Sequence, residues 1–108
     1  MFALVVMLLA AGAAAVPSNM IGAWSSGRCS DQSSRLVITA TTAKLGKSPA
    51  RKIVYYPNDD GAGHGAVHWQ QEGNVDNFIY VSATKKIVHN VQGYHMPGAV
   101  LYARCPST

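Results

Sequence analysis

From position 35 onward, apolar and polar side chains alternate in short runs with a period near two rather than 3.6, the signature of half-buried strands. The runs cover 35–41, 43–46, 52–57, 65–71, 77–83, 86–92 and 99–105, and they are rich in the β-branched and aromatic residues that suit a pleated surface. Turn chemistry separates them. Asn58-Asp59-Asp60-Gly61 with Gly63 forms the longest loop, Glu72-Gly73-Asn74 and Thr84-Lys85-Lys86 read as hairpin turns, and His95-Met96-Pro97-Gly98 as another. No segment predicts a helix. The alternation also predicts faces. Val67 and Trp69 share an inward face, with Ala66, His68 and Gln70 outside. Leu36, Ile38 and Ala40 share one face, and Val100, Tyr102 and Arg104 lie opposite Ala99, Leu101, Ala103 and Cys105. The run 77–83 is apolar on both faces, with Phe78 and Tyr80 on one and Ile79 and Val81 on the other, so the strand is expected either to be central or to be covered by the loop before it.

Strands spaced about ten residues apart imply an antiparallel meander. Such a sheet twists, and its open edges are hazardous, so a small meander curls on itself. The expected fold is therefore all-β, an antiparallel meander curled into a closed or nearly closed barrel.

Positions 1–15 stand apart from this pattern. They carry no charged side chain; the apolar stretch 2–9 gives way to small residues at 10–15. Ala13 and Ala15 suit the shallow −3 and −1 pockets of a signal peptidase, and Pro17 follows directly, so cleavage is expected after Ala15. The run is shorter than the roughly 20 apolar residues that a membrane span requires. The expected organisation is a signal peptide at 1–15 and a single β domain at 16–108, secreted or periplasmic, with no stable membrane span after cleavage and a short free N-terminus at 16–21. Two cysteines are present, Cys29 and Cys105, near the two ends of that domain. In an exported chain the default for such a pair is a disulfide, here one that closes most of the domain into a loop. The spacing supports neither a redox C-x-x-C nor a zinc ribbon.

The net charge of +4 is spread along the chain, with Arg51-Lys52 and Lys85-Lys86 as the only adjacent cations. Nucleic-acid binding calls for a dense basic stripe with interleaved aromatics, so no nucleic-acid partner is expected.

Two features bear a family resemblance. Gly22-Ala23-Trp24 opens the mature domain, and Arg104 sits on the final run beside Cys105. A G-x-W near the start and an arginine on the last strand resemble the signature of calycin-like (lipocalin-like) β-barrels. The resemblance implies structural roles for both residues: Trp24 closes the narrow end, and Arg104 packs across the indole as a cation–π pair. In size, and in the cysteine soon after the tryptophan, the chain resembles the compact calycin-like inhibitors of bacterial proteases. Those insert the peptide before the G-x-W into the protease site.

Candidate chemistry is sparse. His64 and His68 are four apart, about 13 Å along a strand, too far to share one metal unless the chain bends at Gly65. A composite site drawing on His64, His68 and His89 is the weak metal candidate, and the metal expectation is none. The loop Asn58-Asp59-Asp60-Gly61 lacks the spacing of a calcium-binding EF-hand. Asp59 or Asp60 with Glu72 or Asp76 is a conceivable carboxylate pair, though nothing selects one. There is no G-x-S-x-G motif. No catalytic residue and no cofactor is expected. The aromatic residues say more. Trp69, Tyr80 and Tyr94, with His95 in the same turn as Tyr94, offer apolar area with polar tips, suited to a binding rim. The expectation is a monomeric, non-enzymatic binding protein for a protein partner or small apolar ligand. The alternatives are an inhibitor of an exported hydrolase such as a protease, or a His-based metal-binding protein.

Overall fold

The structure is a computed structural model that describes residues 14–59, 61, 63–70, 76–91 and 99–106. Its strands are β1 (Gly22–Ser25), β2 (Arg35–Ile38), β3 (Thr42–Leu45), β4 (Arg51–Tyr56), β5 (Ala66–Trp69), β6 (Asn77–Val81), β7 (Lys86–Asn90) and β8 (Val100–Arg104). They form a closed barrel in sequence order, each antiparallel to the next, and β8 returns to pair with β1. Closure leaves no strand edge along the ring, which is the solution anticipated for a small twisted meander.

Strand β1 lies outside the alternating runs recognised in the sequence. Its four residues hold extended geometry because they pair on both sides, Trp24 with Leu36 of β2 and with Arg104 of β8. A single 3-10 turn, Gln32–Ser34, follows it; Asp31 caps this turn by accepting from the Ser33 amide. The disulfide joins Cys29 to Cys105 across 76 positions. It lies at the closing seam, where the Cys105 amide also donates to the Ala23 carbonyl at 2.8 Å.

Register fixes the two faces. Across the sheet, Ile53 faces Trp69, Val67 faces Phe78, Phe78 faces His89, and Ile87 faces Tyr102. These side chains, with Trp24, Leu36, Ile38 and Ala43, fill the interior. Trp24, Leu36, Ile38, Val67, Phe78 and Ile87 are at most 1% exposed, so the lumen is a packed core. The outer face of β5 and β6 is covered as well: Ala66, His68, Asn77 and Ile79 are all buried. Strand β6 is thus buried on both faces, as its two-sided apolar pattern suggested; the loop before it, 71–75, lies outside the described residues.

The strand connections alternate between two ends. One end carries the β2–β3, β4–β5 and β6–β7 turns, and the segment before β1 folds across it. There Ala14 forms an isolated bridge with Tyr55, and Val16 and Met20 join the core. The free N-terminus expected at 16–21 is therefore a plug. Two apolar side chains insert into the barrel end, while the main chain makes a turn held by the Met20 amide donating to Pro17 at 3.0 Å. The other end, where β5 and β7 finish and β6 and β8 begin, is called the mouth below; residues 71–75 and 92–98 lie outside the described residues.

Candidate functional site

At the plugged end, Trp24 and Arg104 share the inward face. The Arg104 guanidinium carbon lies 4.3 Å from the Trp24 ring centroid. Its Nη1 donates to the Ile21 carbonyl at 2.9 Å, and Nη2 donates to the Asn19 carbonyl. The Trp24 indole donates to the Met20 carbonyl at 3.0 Å and meets Tyr80 edge-on. Gly22 must be glycine here. Its φ is +134°, and a Cβ at that position would fall 2.6 Å from Arg104 Nη1. The G-x-W glycine thus admits the arginine, which ties the plug to both the indole and the main chain. Tyr80 sits half-buried at this end, away from the mouth.

The mouth is built otherwise. Asp76, at the start of β6, turns its carboxylate inward. Trp69 Nε1 donates to Oδ2 at 3.0 Å, and His89 Nε2 donates to Oδ1. The His89 ring stacks on Phe78 with centroids 4.1 Å apart, and the histidine is 5% exposed. Above Trp69 lies the Arg51 guanidinium, 4.3 Å from the ring centroid. Burial works to raise the Asp76 pKa, but hydrogen bonds from His89 and Trp69 and the charges of His89 and Arg51 outweigh it. The carboxyl is held below its ordinary 3.8. Burial, and secondly the Asp76 charge, push the Tyr102 hydroxyl above its ordinary 10.0. A carboxylate, an imidazole, an indole and a guanidinium are thus interlocked at the top of an otherwise apolar lumen. His89 is thus buried, stacked on Phe78 and hydrogen-bonded to Asp76.

A second polar network lies on the outer face. His68 Nε2 donates to Asp59 Oδ2 at 2.9 Å, and Asn77 Nδ2 donates to the same oxygen at 3.2 Å. Asn90 Nδ2 donates in turn to Asn77 Oδ1 at 3.1 Å. The β4–β5 loop delivers Asp59 to this face, and His68 is 3% exposed beneath it. Asp59 thus gives one acceptor to both His68 Nε2 and Asn77 Nδ2, while His68 Nδ1 stays buried without a hydrogen-bond partner among the described residues.

The sequence-nominated residues fall as follows. Trp69 belongs to the mouth cluster, while Tyr80 packs at the plugged end. Tyr94 and His95 lie outside the described residues. His68 and His89 project to opposite faces of the sheet, each bound to its own carboxylate, and His64 sits in the β4–β5 loop. Among the described residues, no three His, Cys, Asp or Glu side chains gather where one metal ion could bind them. Asp59 and Asp76, offered as members of a carboxylate pair, likewise serve opposite faces. Sequence reasoning missed the Asp76–His89 pairing and the role of Arg51. A signal for His89 existed: alternation places it on the same side as Ile87, hence in the lumen.

The described architecture is an eight-stranded, all-antiparallel closed barrel with one Cys29–Cys105 disulfide. Compared with protein-family models, curated proteins and solved structures, the chain matches none.

Proposed function

We propose that this chain is an exported, non-enzymatic binding protein of the calycin-like type, which acts as a monomer and takes its partner at the barrel mouth. The observation that carries this reading is the asymmetry of the two ends. One is closed by the N-terminal segment, Trp24 and Arg104. The other presents Arg51 over Trp69, braced from below by Asp76 and His89. A rim of this kind, rigid and both aromatic and cationic, is what recognition surfaces are built from. The calycin-like assignment is supported by the stacking of Arg104 on Trp24 and by a glycine that makes room for it. The disulfide favours an oxidising compartment, and the closed ring, with no edge to extend, favours a monomer.

The packed lumen bears on the partner. A small apolar ligand would have to displace core side chains to enter, so a protein partner engaging the rim is favoured over a buried ligand. An inhibitory role, as the alternative, would have to use the mouth, since the segment at 16–21 is committed to the plug.

The test is site-specific photo-crosslinking in the exported fraction of the source cells. A photoreactive residue replaces Arg51 at the mouth or, as the control, Lys85 in the β6–β7 turn at the plugged end. Discrete adducts from position 51 alone are expected. No adducts from position 51, or equal labelling from position 85, refutes the proposal.

A further inference from the structure

We propose that the outer face of the β2–β3 hairpin is a second binding site, selective for a phosphate or sulfate group. A groove of about 300 Å³ opens there, lined by Gln32, Arg35, Val37, Lys44 and Gly46. Register explains the set. Val37 lies directly opposite Lys44, and the Gly46 amide donates to the Arg35 carbonyl at 2.8 Å. Arg35, Val37 and Lys44 therefore share the outer face, opposite Leu36 and Ile38 in the core. Arg35 and Lys44 are diagonal neighbours, a placement in which like charges repel.

Nothing in the described chain neutralises this pair. Arg35 Nε is shielded from water and has no hydrogen-bond partner, an uncommon state for a buried donor. Among the described residues, Lys44 Nζ donates only to the Gly46 carbonyl, at 3.1 Å. The nearby carboxylate of Asp31 is turned to the Ser33 amide and hydroxyl. Asp59 and Asp76 are engaged elsewhere, with His68 and His89.

A tetrahedral oxyanion supplies what is lacking. It neutralises two cations and offers several acceptors to the guanidinium fork. Rotation about the terminal torsions of Arg35 brings Nε–H and an Nη–H onto one such anion. Lys44 then supplies a point charge from across the groove, and Gln32 a neutral amide donor. This groove lies on the barrel wall and is independent of the mouth.

The experiment titrates inorganic phosphate, and separately sulfate, into the full mature chain while following the Arg35 Nε–Hε signal by NMR. A saturable shift is expected. Arg35→Gln and Lys44→Gln should each weaken binding about tenfold, the loss of roughly one charge-assisted contact. Both variants must keep the wild-type amide spectrum away from the hairpin; Arg35→Lys, which preserves charge but not the fork, is the fallback should Arg35→Gln unfold. A second arm uses vesicles with and without phosphatidic acid. Co-sedimentation that depends on phosphatidic acid and on Arg35 identifies a headgroup as the source of the phosphate, whereas a response to the free ions alone identifies a soluble anion. A linear, unsaturable shift, or equal affinity in the wild type and both Gln variants, overturns the proposal.

Discussion

Replacing both Cys29 and Cys105 by alanine tests how this barrel is kept shut. The bridge spans 76 positions and lies at the seam between first and last strands, where only Trp24–Arg104 and Ser25–Ala103 are paired. Every other pairing joins strands adjacent in sequence, whereas this seam must bring together the two ends of the domain. The chain-entropy relation assigns a loop of that length about 4.5 kcal/mol of stabilisation, exerted by restricting the unfolded chain. At about 4–8 °C per kcal/mol for a domain of this size, the double variant should melt at least about 20 °C lower. The assay is thermal unfolding followed by near-ultraviolet circular dichroism and tryptophan fluorescence, at matched concentration, with reduced wild-type protein as the parallel sample. Because the effect lies in the unfolded state, the folded variant should keep native amide shifts away from the seam. A fall of less than about 5 °C in both samples would show that the seam holds without its covalent link, and would refute the entropic account.

Three further outcomes are expected. The depressed Asp76 pKa adds stability that is complete above the unfolded value near 3.8 and is lost as pH falls through the lower folded value. Asp76→Asn should therefore flatten the acid limb of the stability–pH curve, and an unchanged limb in chemical denaturation would show that the Trp69–Asp76–His89 cluster does not carry it. Gly65→Ala drives a Cβ into the Tyr55 hydroxyl and to 2.6 Å from Cζ, so it should cost about 1–3 kcal/mol by overpacking. A double-mutant cycle with Tyr55→Ala should show favourable coupling between the two changes, and strict additivity would contradict the contact. Finally, N-terminal sequencing of the exported protein should begin at Val16; a species that retains the first 15 positions would refute cleavage after Ala15.

Much of the fold was legible because strand alternation depends on nearest neighbours in sequence. The inward pairing of Val67 with Trp69, the shared face of Val100 and Tyr102, and the two-sided burial of β6 follow from a period of two and need no partner to be known, whereas which face of β8 turns inward does not. The disulfide followed from two cysteines in a chain read as exported. Strand β1 was not legible, since a short segment opened by glycine becomes a strand only when neighbours pair with it. The fate of the segment at 16–21 was equally hidden: Val16 and Met20 are apolar enough to bury, but only the closed barrel creates the hole they fill.

The candidate site divides along the same line. The sequence by itself determined which residues could act: an all-β alternation, a G-x-W, a terminal arginine, two cysteines and a few histidines and acids. Tertiary structure decided their partners. It set Asp76 on His89 inside the lumen and Asp59 on His68 outside it, separating two histidines that are 21 positions apart by roughly that arithmetic in sequence but by the whole sheet in space. Among the described residues, it also left Arg35 Nε without a hydrogen-bond partner beside Lys44, whose Nζ donates to the Gly46 carbonyl. The physical reason is that periodicity assigns a side chain to a face, while register and closure, which depend on the whole chain at once, assign it a neighbour.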